Sequence, residues 1–170
     1  TGGVGSTNIA GGATLIGSGA ADKLVDGGRV TNAGTVNWTG AGNLVINNGA
    51  NVANNGTFDL QTDAGIQYTN GSSGGVPTFT NTGVLKKSAG TTSVIGITNP
   101  FNLVNSGTLS AAVGTINYAA VNAFNSGTTF NGAGANVVTT SSTFNGTITS
   151  GNLTLQSGNY NGTASLGGAT

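Results

Sequence analysis

Apolar and polar residues alternate along this chain in runs of four or five, and a Gly or another turn former introduces each run. Period-two alternation over so few residues predicts short, half-buried β-strands. After Gly34 come "GTVNW", "GNLVIN" and "ANVANN"; after Gly107 come "GTLSA", "GTINYAA" and "NAFN". The same three beats follow Gly56, Gly83, Gly127 and Gly146, and an earlier set reads "GATLIG", "DKLVDG" and "GRVTN". Each set carries Asn-x-Gly, at Asn32, Asn54, Asn81, Asn105 and Asn125, shortened to Asn-Gly at Asn145 and Asn161. The spacings between the glycines are 22, 27, 24, 20, 19 and 16 residues, a period with variable loops. One sheet does not account for a three-beat repeat. Three parallel sheets wound around one narrow core do.

The expected fold is therefore all-β: a right-handed parallel β-helix (β-solenoid) of about seven coils with three short strands each, one unit over residues 1–170. The hand follows the usual right-handed crossover. Strands ~4.8 Å apart put seven coils at roughly 34 Å. Three inward columns are expected. The first is Val36, Phe58, Leu85, Leu109, Thr129, Ile148 and Ala164, with Thr129 and Ala164 as its weakest members. The second includes Leu44, Ile46, Ile116, Tyr118, Leu153 and Leu155. The third is Val30, Val52, Phe79, Phe124, Phe144 and Tyr160, just before the Asn. Asn tolerates the left-handed backbone of a tight corner, and a stacked Asn amide hydrogen-bonds to its copy above and below. Asn32, Asn54, Asn81, Asn105, Asn125, Asn145 and Asn161 are thus expected to form an internal or corner ladder. Lys87 falls in an inward column with Trp38 and Leu60, so either the strand has ended there or the pattern bends.

The residue after each first-strand Gly (Thr35, Thr57, Val84, Thr108, Thr128, Thr147, Thr163) is expected to face outward. Such a row raises ice binding, but the next outward column reads Asn37, Asp59, Lys86, Ser110, Phe130, Thr149 and Ser165. A carboxylate, an ammonium and a Phe spoil a flat array, and β-branched Thr suits a solvated strand in any case. Asp59 and Lys86 should pair across neighbouring strands.

Charge narrows the function. The only carboxylates are Asp22, Asp26, Asp59 and Asp63, the only cations Lys23, Arg29, Lys86 and Lys87, and there is no Glu, His or Cys. No basic patch exists for nucleic acid. No apolar run has the length of a membrane span. "DLQTD" supplies two acids, Asp59 and Asp63, of the kind that polysaccharide-cleaving enzymes use, but on a strand and the loop after it nothing fixes their separation. "DKLVD" lacks the spacing of a calcium loop. No catalytic, cofactor or metal residues are assigned. A candidate ligand surface consists of Trp38, Asp59 and Lys86, with the excursion Thr69 to Thr78 beside it. Many Gly, Asn and Thr with few charges and no Cys suit a secreted bacterial surface protein.

The phrases "VTNAGTVNWTG" (Val30 to Gly40), "NNGTFDLQTD" (Asn54 to Asp63), "FTNTGVLKKSAGT" (Phe79 to Thr91) and "FNGTITSGNLTL" (Phe144 to Leu155) carry a resemblance that extends over most of the chain. In them the chain resembles the β-strand-repeat giant surface proteins of bacteria, similar in style to filamentous haemagglutinin and autotransporter passengers. The resemblance implies secretion, an extracellular or cell-surface place and a longer parent, and it carries over no catalytic residue. "GGAT" near both ends agrees with a piece of a larger tandem array. The expected function is a structural or adhesive shaft. The alternative is a carbohydrate-binding module, and third comes a polysaccharide-degrading enzyme. Expected partners are surface glycans or further copies of the repeat, end to end.

Overall fold

The computed structural model describes residues 5–69, 74–99 and 101–168. Among them are 21 strands and no helix. The first coil comprises β1 (Ser6–Ile9), β2 (Thr14–Gly17) and β3 (Lys23–Asp26), the second β4 (Arg29–Asn32), β5 (Thr35–Trp38) and β6 (Leu44–Asn47). The third has β7 (Asn51–Asn54), β8 (Thr57–Leu60) and β9 (Ile66–Tyr68), the fourth β10 (Thr78–Asn81), β11 (Val84–Lys87) and β12 (Thr92–Thr98). The fifth has β13 (Asn102–Asn105), β14 (Thr108–Ala111) and β15 (Thr115–Tyr118), the sixth β16 (Val121–Phe124), β17 (Thr129–Asn131) and β18 (Ala135–Val138). The last are β19 (Ser142–Ser150), β20 (Leu153–Leu155) and β21 (Tyr160–Gly168).

Every named strand pairs parallel with the strand one coil away, so the chain is a parallel β-solenoid of about seven turns with three faces. Two faces merge at the C-terminal end because β19 and β21 run straight through the corner that the earlier coils turn. That is where the sequence shortens from Asn-x-Gly to Asn-Gly: with one residue fewer, no separate turn forms.

The core follows the alternation. Val36, Phe58, Leu85 and Leu109 stand in register on one face, all buried. Trp38, also buried, stacks on Phe58 with ring centroids 5.9 Å apart. The rung below it must be Gly17, because a Cβ there would lie 2.5 Å from the indole. Gly96 bulges β12, shifting its register against β9 between Ile95 and Ile97.

The structure corrects the expected columns beyond Asn105. Asn105 pairs with Phe124, not with Asn125. Leu109 pairs with Phe130, not with Thr129. One residue of slip turns each side chain to the other face. Phe130 is therefore fully buried against Tyr118 and Phe124, and Thr129 continues the outward Thr row in place of Thr128. At the C-terminal end Leu155 and Leu166 are exposed, since no described rung lies above them.

Candidate functional site

The Asn residues divide at the same slip. Asn32, Asn54, Asn81 and Asn105 are buried and form one ladder: each Nδ2 donates to the next Oδ1, at 2.7, 2.6 and 2.6 Å. Asn32, Asn54 and Asn81 donate as well to the carbonyls of Thr57, Val84 and Thr108, one coil on. Asn105 hands over to the Thr128 hydroxyl at 2.9 Å, and that hydroxyl donates back to the Asn105 carbonyl. Asn125, Asn145 and Asn161 are not rungs of this ladder. Asn125 lies one position past the strand end, accepts from Asn145 at 3.2 Å and is only half-buried, while Asn161 is exposed opposite Thr143.

Inside the last coils the polar positions are Asn122 and Ser142, which stand in register above Leu103. The Asn122 amide donates to the Ser142 hydroxyl at 3.0 Å. A second network, which the sequence reading missed, begins at the buried Tyr118. Its phenol donates to Asn136 Oδ1 at 2.7 Å, and Asn136 Nδ2 donates to Asn152 Oδ1 at 2.8 Å. Burial pushes the Tyr118 phenol well above its ordinary range, so it stays a neutral donor.

The candidate ligand surface does not assemble as one. Trp38 is 4 % exposed, its indole N–H donating to the Gly42 carbonyl at 2.7 Å, so no ring is offered to a sugar. Asp59 faces outward from β8 yet is almost covered. Its Oδ2 accepts from Ser88 at 2.8 Å and Gln61 at 3.2 Å, with Lys86 Nζ at 3.8 Å. Lys86 alone of the three remains on the surface. The cross-strand pairing of Asp59 with Lys86 is present, and with a 3.8 Å contact to an exposed Lys86 ammonium it is worth at most about 1 kcal/mol.

Asp63 sits at a different place, the corner between β8 and β9. Its carboxylate accepts from the Thr91 amide, from the Thr91 hydroxyl at 2.8 Å and from the Thr92 amide at 2.9 Å. Lys87 reaches it from inside at 3.2 Å. The Thr91 hydroxyl, the Thr91 amide, Lys87 and the Thr92 amide together hold its pKa at about 2, against a smaller opposing effect of desolvation.

The strand neither ends before Lys87 nor bends there: Lys87 keeps the alternation, points inward in register with Leu60 and Ala111, and is fully buried. Its three protons go to the Thr62 carbonyl (2.7 Å), Ser93 Oγ (3.1 Å) and Asp63. Buried charge survives only when paired and hydrogen-bonded, and here it is both. Asp22 is held by the Asn43 amide at 2.7 Å and by Gln67 at 3.0 Å, and Asp26 by the Asn48 amide. Each of the four carboxylates thus bridges one coil to another.

A cavity of about 340 Å³ opens at the N-terminal end of the stack and is lined mainly by apolar side chains such as Ile9, Leu15, Val25 and Val36. Among the described residues no group of three or more Asp, Glu, His or Cys converges as a metal site would require. Of the excursion from Thr69 to Thr78, residues 70–73 lie outside the described residues. No protein-family model, no curated protein and no solved structure matches this chain.

Proposed function

We propose that this chain is a stiff, non-catalytic shaft segment of an extracellular or cell-surface bacterial protein. One observation carries the reading: all four carboxylates and the buried Lys87 are spent on joining coil to coil. The Asn ladder, the Asp63–Lys87 clasp and the Asp22–Asn43 contact each tie successive turns together. A solenoid built this way is held mainly by contacts between adjacent turns, and its natural property is length. The resemblance of the sequence phrases to those of giant repetitive surface proteins supports the same reading, with surface glycans or further copies of the repeat as partners.

Small-angle scattering on the purified chain tests it. The expected outcome is a rod profile of constant cross-section. Two results would overturn the reading. One is polysaccharide cleavage that disappears in Asp59→Asn or Asp63→Asn. The other is saturable glycan affinity that is lost in Lys86→Ala.

A further inference from the structure

Five Asn-Gly pairs lie among the described residues, at Asn48, Asn55, Asn131, Asn145 and Asn161. In general chemistry Asn-Gly is the dipeptide most prone to lose ammonia, through attack of the glycine nitrogen on the Asn side chain. Folding ordinarily suppresses this by fixing both groups. Asn55 shows the suppression: its Oδ1 accepts from Thr82 Oγ1 at 2.8 Å, and the Gly56 amide donates to the Asn32 carbonyl at 3.0 Å. Asn145 and Asn161 lie within β19 and β21. Asn48 is held to Asp26.

Asn131 differs. It ends β17, stands in the outward column with Ser110 and Lys86, and its side-chain amide has no hydrogen-bond partner among the described residues. Gly132 lies outside the strand with φ +105, and a Cβ there would lie 2.0 Å from the Ala111 carbonyl oxygen, so the glycine is obligatory. The Asn131 backbone carbonyl accepts two amide donors, Asn152 Nδ2 at 2.9 Å and Asn136 Nδ2 at 3.1 Å. Both belong to the buried network that starts at Tyr118, in which each bond polarises the next.

These donors matter because the reacting nucleophile is the peptide nitrogen after loss of its proton. The negative charge of that anion is shared with the carbonyl oxygen of the same peptide, here that of Asn131. Two preorganised N–H donors on this oxygen act on it as an oxyanion hole acts on a developing alkoxide.

We propose that Asn131–Gly132 is a self-activating deamidation site, with the Asn136–Asn152 pair as its positioning residues. The Gly132 nitrogen bonds to Asn131 Cγ, the Cγ–Nδ2 bond breaks, and the side-chain nitrogen leaves as ammonia carrying the proton taken from Gly132. The cyclic imide then takes up one water, which opens either carbonyl to give aspartate or isoaspartate. No oxidant or reductant is involved. The product places an anion on the outer face in a region that has no charged residue after Lys87.

The test is peptide mapping by mass spectrometry of the intact chain, held at physiological temperature and pH and sampled over time. Asn131 is expected to convert about tenfold faster than Asn55 in the folded chain, and at a similar rate to it in urea, where the network is gone. Asn152→Ala, which removes one donor and loosens the other, is expected to slow Asn131 by about tenfold. Unfolding would remove the structural suppression and speed conversion, so a slower rate in this variant cannot come from misfolding. Equal rates at Asn131 and Asn55 in the folded chain would overturn the assignment, as would an Asn131 that is unchanged, or faster, in a variant whose Asn55 keeps its folded-chain rate.

Discussion

An Asn amide in an apolar core is a liability until both of its ends are used. Asn81 meets that demand by accepting from Asn54 and donating to Asn105 and to the Thr108 carbonyl. Asn81→Ala strands one buried donor and one buried acceptor, and is expected to lower stability by about 2–4 kcal/mol in urea titration. Asn161→Ala, at an exposed position, is expected to stay within about 0.5 kcal/mol. Asp63 gives a pH signature. Its pKa in the fold, about 2, lies below the ordinary 3.8. A depressed carboxyl pKa means that the unfolded chain binds the proton more tightly. Stability from Asp63 is thus fully present above the unfolded value and is lost as pH falls from about 4 through about 2. Thermal melts across that interval should show a loss in the parent chain that Asp63→Asn lacks.

At the scale of the strand, the deciding event is the one-residue slip between β13 and β16. Phe130→Ala is expected to cost about 3–5 kcal/mol, whereas Thr129→Ala, on the outer face, is expected to cost less than about 1 kcal/mol. The opposite order in denaturant titrations would mean that the strand keeps the unslipped register. Coils two to five were legible because each Asn has its large apolar residue two positions earlier: Val30, Val52, Phe79, Leu103. In the last three the aromatic stands directly before the Asn, as Phe124, Phe144 and Tyr160. With period-two geometry that shift turns the Asn out of the core. The signal was present in the sequence, but a motif aligned on Asn-x-Gly hides it. The column of Lys87 was visible too, but a charge in it read as a strand end or a bend, and the strand does neither. Its partner Asp63 was not legible, because it lies in a corner loop that carries no periodicity. Trp38 looked available for a ligand only because an inward Trp needs a small neighbour one coil away, and Gly17 supplies that space from outside its own repeat.

For the whole molecule, stability is a sum over coil-to-coil interfaces. The interfaces are unequal. Coils three to five combine the ladder with the Lys87 clasp, whereas the first coil and β20 expose Leu15, Ile16, Leu24 and Leu155. Amide hydrogen exchange is expected to be slowest in β8, β11 and β14 and to quicken toward both ends. Uniform protection along the stack would show that the chain opens as a single unit.

The ladder also has a sense of direction. Each amide points its N–H toward the later coil, from Asn32 through Asn105. The row begins on a donor, the Gly34 amide at 3.1 Å from Asn32 Oδ1, and ends on an acceptor, the Thr128 hydroxyl oxygen. Turning one amide around would set two N–H groups face to face on one side and two oxygens on the other. The four amides are therefore locked to a common orientation, like dipoles in a ferroelectric crystal, and the carbonyls of Thr57, Val84 and Thr108 hold them in it. The interior of this rod is electrically polar along its axis, although the chain has no net charge.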